Sequence, residues 1–149
     1  MAITAQGLFG KTLQDLLDTT QTAINLDLET HKGALFTNTI TPNFDTDTAY
    51  GVSPYDANET SGGSWSAGGI ALTGTAITLS TGTLKYDATD VSVASSSVTN
   101  AMGYLLYADA LGGNNAILLI DFGTAVTTSS GTLQIQFDAA GIFTWDYTP

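Results

Sequence analysis

The sequence predicts an all-β fold, an antiparallel β-sandwich or jelly-roll-like domain with one short N-terminal helix. Three observations carry this. Ser and Thr number 36 and Gly 16, whereas Lys and Glu together number five. Short runs of alternating apolar residues recur from residue 25 to the C-terminus, separated by Gly, Asn, Asp and Ser. Helical spacing of leucines is confined to the first 24 residues. Thr favours half-buried strands, and Gly and Ser favour turns. Exposed helix faces draw heavily on Glu and Lys, of which this chain has few.

Taken in order, residues 1–24 form the predicted arm, and residues 25–149 a single β domain. Leu8, Leu13, Leu16, Leu17 and Ile24 fall near i, i+4 and i+7, with Gln14, Asp15 and Asp18 between them, the pattern of one amphipathic helix over residues 8–24. The arm reads either as a helix packed on the sheet or as a segment docking on a partner. Leu26 and Leu28 alternate with Asp27 and Glu29, and Lys32 to Phe36 is a short apolar run. Residues 37–69 read as a long loop region punctuated by Pro42, Asp45, Asp47, Pro54, Asn58 and glycines 62, 63, 68 and 69. Strands are then expected at Ile70 and Leu72, at Ala76 to Leu79, at Thr83 to Tyr86 and around Val91 and Val93. Ala101 to Tyr107 and Ala116 to Phe122 are long enough to be central. Thr132 to Phe137 and Gly141 to Trp145 complete eight or nine strands, with turn signals every 8–12 residues.

Composition excludes several functions. With 149 residues the chain is one domain's length. Its net charge is -11, and its only cations are Lys11, Lys32 and Lys85. Three lysines cannot line a groove for nucleic acid, and the charge opposes an anionic membrane surface. No Cys is present, so disulfide and thiolate chemistry are excluded. The longest apolar run, 116–120, is five residues, against roughly 20 for a transmembrane helix. Residues 1–6 carry no basic segment followed by an apolar one, so no secretory signal is read there and synthesis in a cytoplasm is expected.

No constellation reads as catalytic, no metal or cofactor is expected, and the chain reads as no enzyme. His31 is the only His, and a nucleophile–base pair would rest on it alone. Asp45, Asp47, Asp56 and Glu59 lack calcium-loop spacing and read as turn residues. Asp121-Phe-Gly123 has no phosphate loop or catalytic loop to accompany it and reads as a strand end followed by a turn. The paired glycines 62–63 and 68–69 precede no lysine and read as bracketing a flexible turn around Trp65. Trp145 is expected to close the open end of the core, and Trp65 to be the better surface candidate.

A series of segments then carries a resemblance. It begins with Asn25-Leu-Asp-Leu-Glu-Thr-His-Lys-Gly-Ala-Leu35 and Pro42-Asn-Phe-Asp-Thr-Asp47. It continues with Glu59-Thr-Ser-Gly-Gly-Ser-Trp-Ser-Ala-Gly-Gly69, Ala71-Leu-Thr-Gly74 and Tyr86-Asp-Ala-Thr-Asp-Val91. Ala101 to Tyr107, Ile120-Asp-Phe-Gly123, Ser130-Gly-Thr-Leu133 and Phe137-Asp-Ala-Ala-Gly-Ile-Phe143 close it. In order and spacing these resemble small tailed-bacteriophage structural proteins of the head decoration and auxiliary virion type. The resemblance implies a non-enzymatic virion protein whose partner is the major capsid protein or, alternatively, tail proteins. It carries over no catalytic or ligand residue.

Such a protein would be a homo-oligomer, a trimer on a three-fold of the shell being the expected form. The interface candidates are Ile3, Leu8, Phe9 and Leu13 in the arm, with Phe44, Tyr50, Tyr55 and Trp65 in the loop region. A carbohydrate-binding or adhesin module is the alternative of another class; it predicts glycan affinity that is lost on Trp65→Ala.

Overall fold

The computed structural model describes residues 2–17, 22–27 and 30–146. They form an all-β sandwich with a short N-terminal helix. In chain order the elements are β1 (Gly7–Leu8), α1 (Gly10–Leu17), β2 (Lys32–Thr37), β3 (Ile70–Ala71), β4 (Ala76–Ser80) and β5 (Thr83–Asp87). There follow β6 (Val91–Ser96), β7 (Ala101–Tyr107), β8 (Ala116–Val126), β9 (Gly131–Ile135) and β10 (Phe143–Asp146). The main sheet has the order β1-β8-β7-β2-β3; the smaller ones are β10-β5-β4 and β6-β9. All pairings are antiparallel.

β7 lies at the centre of the main sheet and is buried along almost its whole length. Period-2 alternation sends its side chains, with those of β2 and β8, to two faces. Leu35, Tyr104, Leu106 and Leu118 face Tyr86, Val91, Leu133 and Ile135 of the smaller sheets. Ala34, Phe36, Leu105, Tyr107 and Leu119 face the other way. There they meet Ile3 and Phe9 of the arm and Ile40 and Tyr55 of the loop region. The result is three layers, with the main sheet in the middle.

A register shift between Leu106 and Tyr107 opposes β7 to β8 with one residue extra on β8. This bulge lets consecutive residues, Ile117 and Leu118, both enter the first core. Tyr104 also needs space across the strand pair. A Cβ at Gly33 would overlap its ring, so the glycine in Lys32–Thr37 is a packing requirement.

Several expectations are corrected. The helix spans 10–17 and not 8–24; residues 22–24 are not helical, and 18–21 lie outside the described residues. Thr12 is its one buried residue and donates to the Ala116 carbonyl at 2.5 Å, fixing α1 to β8. Leu26 and Asp27 form a turn where a strand was expected; Leu28 and Glu29 lie outside the described residues. The arm packs on the main sheet, one of its two expected readings: Gly7 and Leu8 pair with Leu119 and Leu118. Trp145 does not close the core: it is 52% exposed on β10. Asp121 does not end its strand, since β8 runs on to Val126, but it does begin a turn, accepting from the Gly123 N–H at 2.8 Å. That turn sits in a wide irregularity of β8, between Asp121 opposite Gly103 and Val126 opposite Ala101.

Phe9 is fully buried and touches Phe44 and Tyr55, with centroids at 5.3 and 5.8 Å. Phe9→Ala is expected to cost about 3–5 kcal/mol, measured by urea unfolding with the far-ultraviolet spectrum of the folded state retained. Gly33→Ala is expected to destabilise as well, and Tyr104→Phe not to rescue it, because the ring and not the hydroxyl alone occupies the space.

Candidate functional site

Of the eight residues expected at an interface, Ile3, Phe9, Tyr55 and Trp65 are buried, and Leu8, Leu13, Phe44 and Tyr50 are half-buried. Ile3, Phe9 and Tyr55 belong to the second core, and Trp65 to the first. Phe44 packs on the second core and accepts the Gly10 N–H on its carbonyl at 2.6 Å, holding the start of α1. Leu8 and Leu13 are half-buried and line a cavity of about 60 Å³ beneath α1, closed by Ile117 and Phe143. Arm and loop region are thus brought together, as expected of one site, but they cover each other and the sheet.

Trp65 shows why. Gly62 and Gly63 have φ of 158° and 60°, and a Cβ on either would strike the carbonyl of Ser97 or Ser95. The bare backbone lies against the end of β6: Ser64 donates to Ser95 at 3.0 Å, and Ser97 donates to Gly62 at 2.9 Å. Gly62 and Trp65 also exchange backbone hydrogen bonds. The turn therefore delivers Trp65 into the core, where it is 1% exposed. This overturns its assignment to the surface and removes it as a glycan contact.

Tyr50 is the centre of a polar network. Its ring stacks on Tyr107 at 4.4 Å and 11°. Its hydroxyl donates to Glu59 at 2.8 Å, and the other Glu59 oxygen accepts from the Gly68 N–H at 2.7 Å. The Tyr107 hydroxyl donates to the Gly68 carbonyl at 2.7 Å. Burial, then the hydrogen bond and charge of Glu59, push the Tyr50 phenol up to about 12. Burial, then the charges of Asp109, Tyr50 and Glu59, push Tyr107 up as well. The network staples residues 50–68 onto β7.

His31 is fully buried, with its ring edge-on to Tyr86 at 6.4 Å. Burial pushes Tyr86 up to about 12. Among the described residues no three side chains of His, Asp or Glu form a metal-holding group, and no helix is long and apolar enough to cross a membrane.

A patch of exposed apolar residues lies on the three-stranded sheet. In the three-stranded sheet, Ile77, Tyr86 and Phe143 stand in one cross-strand row, and Leu79, Leu84 and Trp145 in the next. These six share one face. Tyr86 and Phe143 sit over the core, but the second row overhangs it: Leu79 is 66% exposed and Trp145 52%. The opposite face carries Lys85, Asp87 and Asp146, with Lys85 bonded to Asp87 at 3.0 Å. The charge-free composition of 76–80 was the available signal; that the row extends past the core was not readable.

Beside this sheet a groove of about 390 Å³ runs between β1 and residues 136–143, lined by Gln6, Gln136, Asp138, Phe137, Ile120 and Phe143 among others. No family model matches the chain, no curated protein is significantly similar to it, and no solved structure matches it.

The tyrosines set an alkaline limit. A phenol raised in the folded chain leaves stability intact below its ordinary value near 10 and removes it as pH climbs through the folded value. Stability is therefore expected to fall between pH 10 and about 12 for Tyr50 and Tyr86. In a Tyr147→Phe chain, phenolate absorbance should rise together with the unfolding signal, not before it.

Proposed function

We propose that the protein is a structural component of a tailed-phage virion, a decoration protein that binds the outside of the head through the overhanging face of its three-stranded sheet. The observation that carries this reading is the uncharged row of Leu79, Leu84 and Trp145 on a rigid sandwich whose net charge is -11. Contiguous exposed apolar surface of this kind suits protein contact. The surrounding charge limits self-association and non-specific binding, so docking must run through the apolar face. The resemblance of the ordered segments to phage structural proteins points the same way. The major capsid protein is the partner in this reading, with tail proteins as the alternative.

Immunogold electron microscopy of intact particles of the encoding phage tests it. Gold distributed over the heads is the expected result. Gold confined to the tail would move the protein there, and unlabelled particles would overturn the virion reading. Leu79→Ser with Trp145→Ser is expected to lower particle binding by about tenfold or more, since each truncated anchor costs on the order of 1–2 kcal/mol. The melting temperature should stay within about 2 °C, because exposed positions contribute little to stability.

A second reading, a glycan-binding module, has one observation in its favour. The groove combines two amide side chains, a carboxylate and two phenylalanines, groups that hydrogen-bond and stack on a sugar ring. Its contact would be the groove and not Trp65. Binding on a glycan array that is lost on Asp138→Ala would support it.

A further inference from the structure

β4 is an edge strand: in the order β10-β5-β4 nothing among the described residues pairs with its outer side. The β4–β5 hairpin fixes which groups that side presents. Ser80 and Thr83 flank a two-residue turn whose residues Thr81 and Gly82 have φ of 45° and 84°. In a turn of this type the flanking pair exchanges both hydrogen bonds. Ladder bonds to β5 then belong to Ser80, Thr78 and Ala76. The N–H and C=O groups of Ile77 and Leu79 point outward, unpaired.

Exposed edges are ordinarily blunted by a charge, a proline or a bulge. β4, Ala-Ile-Thr-Leu-Ser, has none of these. It is also close to a palindrome in character: small, apolar, Thr, apolar, small. We propose that this edge pairs antiparallel with the same edge of a second copy, about a two-fold axis through Thr78. Ile77 then lies opposite Leu79 of the other copy, and the two pairs exchange four backbone hydrogen bonds. The contact is isologous.

The near-palindrome of β4 favours a second copy, and charge leaves this edge open to one. Two chains of net charge -11 can meet only where neither presents carboxylates. Lys85, Asp87 and Asp146 all project from the opposite face of the sheet. The pairing makes one six-stranded sheet and joins the two apolar rows into a continuous face, so the inference rests on that face being a docking surface. It replaces the expected three-fold assembly by a two-fold one. The contact is a single strand pair, far below the area of a standard stable interface, so the dimer is weak and concentration-dependent.

Hydrogen exchange of the wild-type chain across a dilution series, alongside sedimentation velocity, tests this. A shift from monomer to dimer with rising concentration is expected. It should be accompanied by slowing of about tenfold in the Ile77 and Leu79 amides and no change at Thr78 and Ser80. Leu79→Lys should abolish both effects by setting a charge in the pair, whereas Trp145→Ala should keep the dimer while weakening particle binding. A chain that stays monomeric, a dimer whose Ile77 and Leu79 amides exchange freely, or a Leu79→Lys chain that still dimerises would each overturn the proposal. Because the exchange measurement needs no variant, a misfolded mutant does not obscure the outcome. Lost particle binding with intact edge pairing would count against the virion reading alone.

Discussion

Burial of the main sheet on both faces is the constraint from which the rest of the structure follows. Its strands carry large side chains to both sides, Tyr104 and Leu106 to one and Leu105 and Tyr107 to the other. Neither face can be left to water, since each buried Leu or aromatic side chain is worth roughly 1.5–3 kcal/mol on removal from it. One face is covered by the two small sheets. The other has no sheet to cover it, and the chain supplies the arm and residues 40–60 instead.

That requirement explains the irregular half of the molecule. A loop can pack over a sheet only if its backbone polar groups are satisfied. Here Thr60 donates to the Leu35 carbonyl at 2.8 Å and Thr37 to Asn58 at 3.0 Å, while the Ile3 N–H reaches Asn38 Oδ1 at 2.6 Å. The Tyr50–Glu59–Gly68–Tyr107 network serves the same end. With most of the arm and loop committed to the sheet, Leu17 and Val52 stand exposed singly, and the exposed apolar residues that lie together are Ile77, Leu79 and Trp145 at the end of the three-stranded sheet.

The strands were legible because period 2 is local. Ala101 to Tyr107 was readable at its true bounds, and Val91 with Val93 marks the start of β6. The sandwich followed from the number of strands and the turns between them. What was not legible is long-range. Ile3, Phe9 and Tyr55 look unpartnered in the sequence because their partners lie far along the chain: Asn38 for Ile3, Phe44 for Phe9, and Phe9 and Phe36 for Tyr55. Trp65, between paired glycines, resembles an exposed tip, yet those glycines serve close approach to β6. Conversely, Trp145 has the alternation of a buried strand residue, and only the placement of β10 at a sheet edge past the core exposes it. Alternation reports which face a residue occupies, not whether the neighbouring layer reaches that far.

The central claim is therefore a division of the large apolar anchors: Trp65 of the loop region is sealed inside, and Trp145 of the three-stranded sheet is open. The two tryptophans report on the two sides of it. Acrylamide quenching of Trp65 in a Trp145→Phe chain, and of Trp145 in a Trp65→Phe chain, measures it directly. Weak quenching with blue-shifted emission for Trp65, and strong quenching with red-shifted emission for Trp145, is the result this division requires. Trp65 quenched as readily as Trp145, in chains that unfold cooperatively, would contradict it.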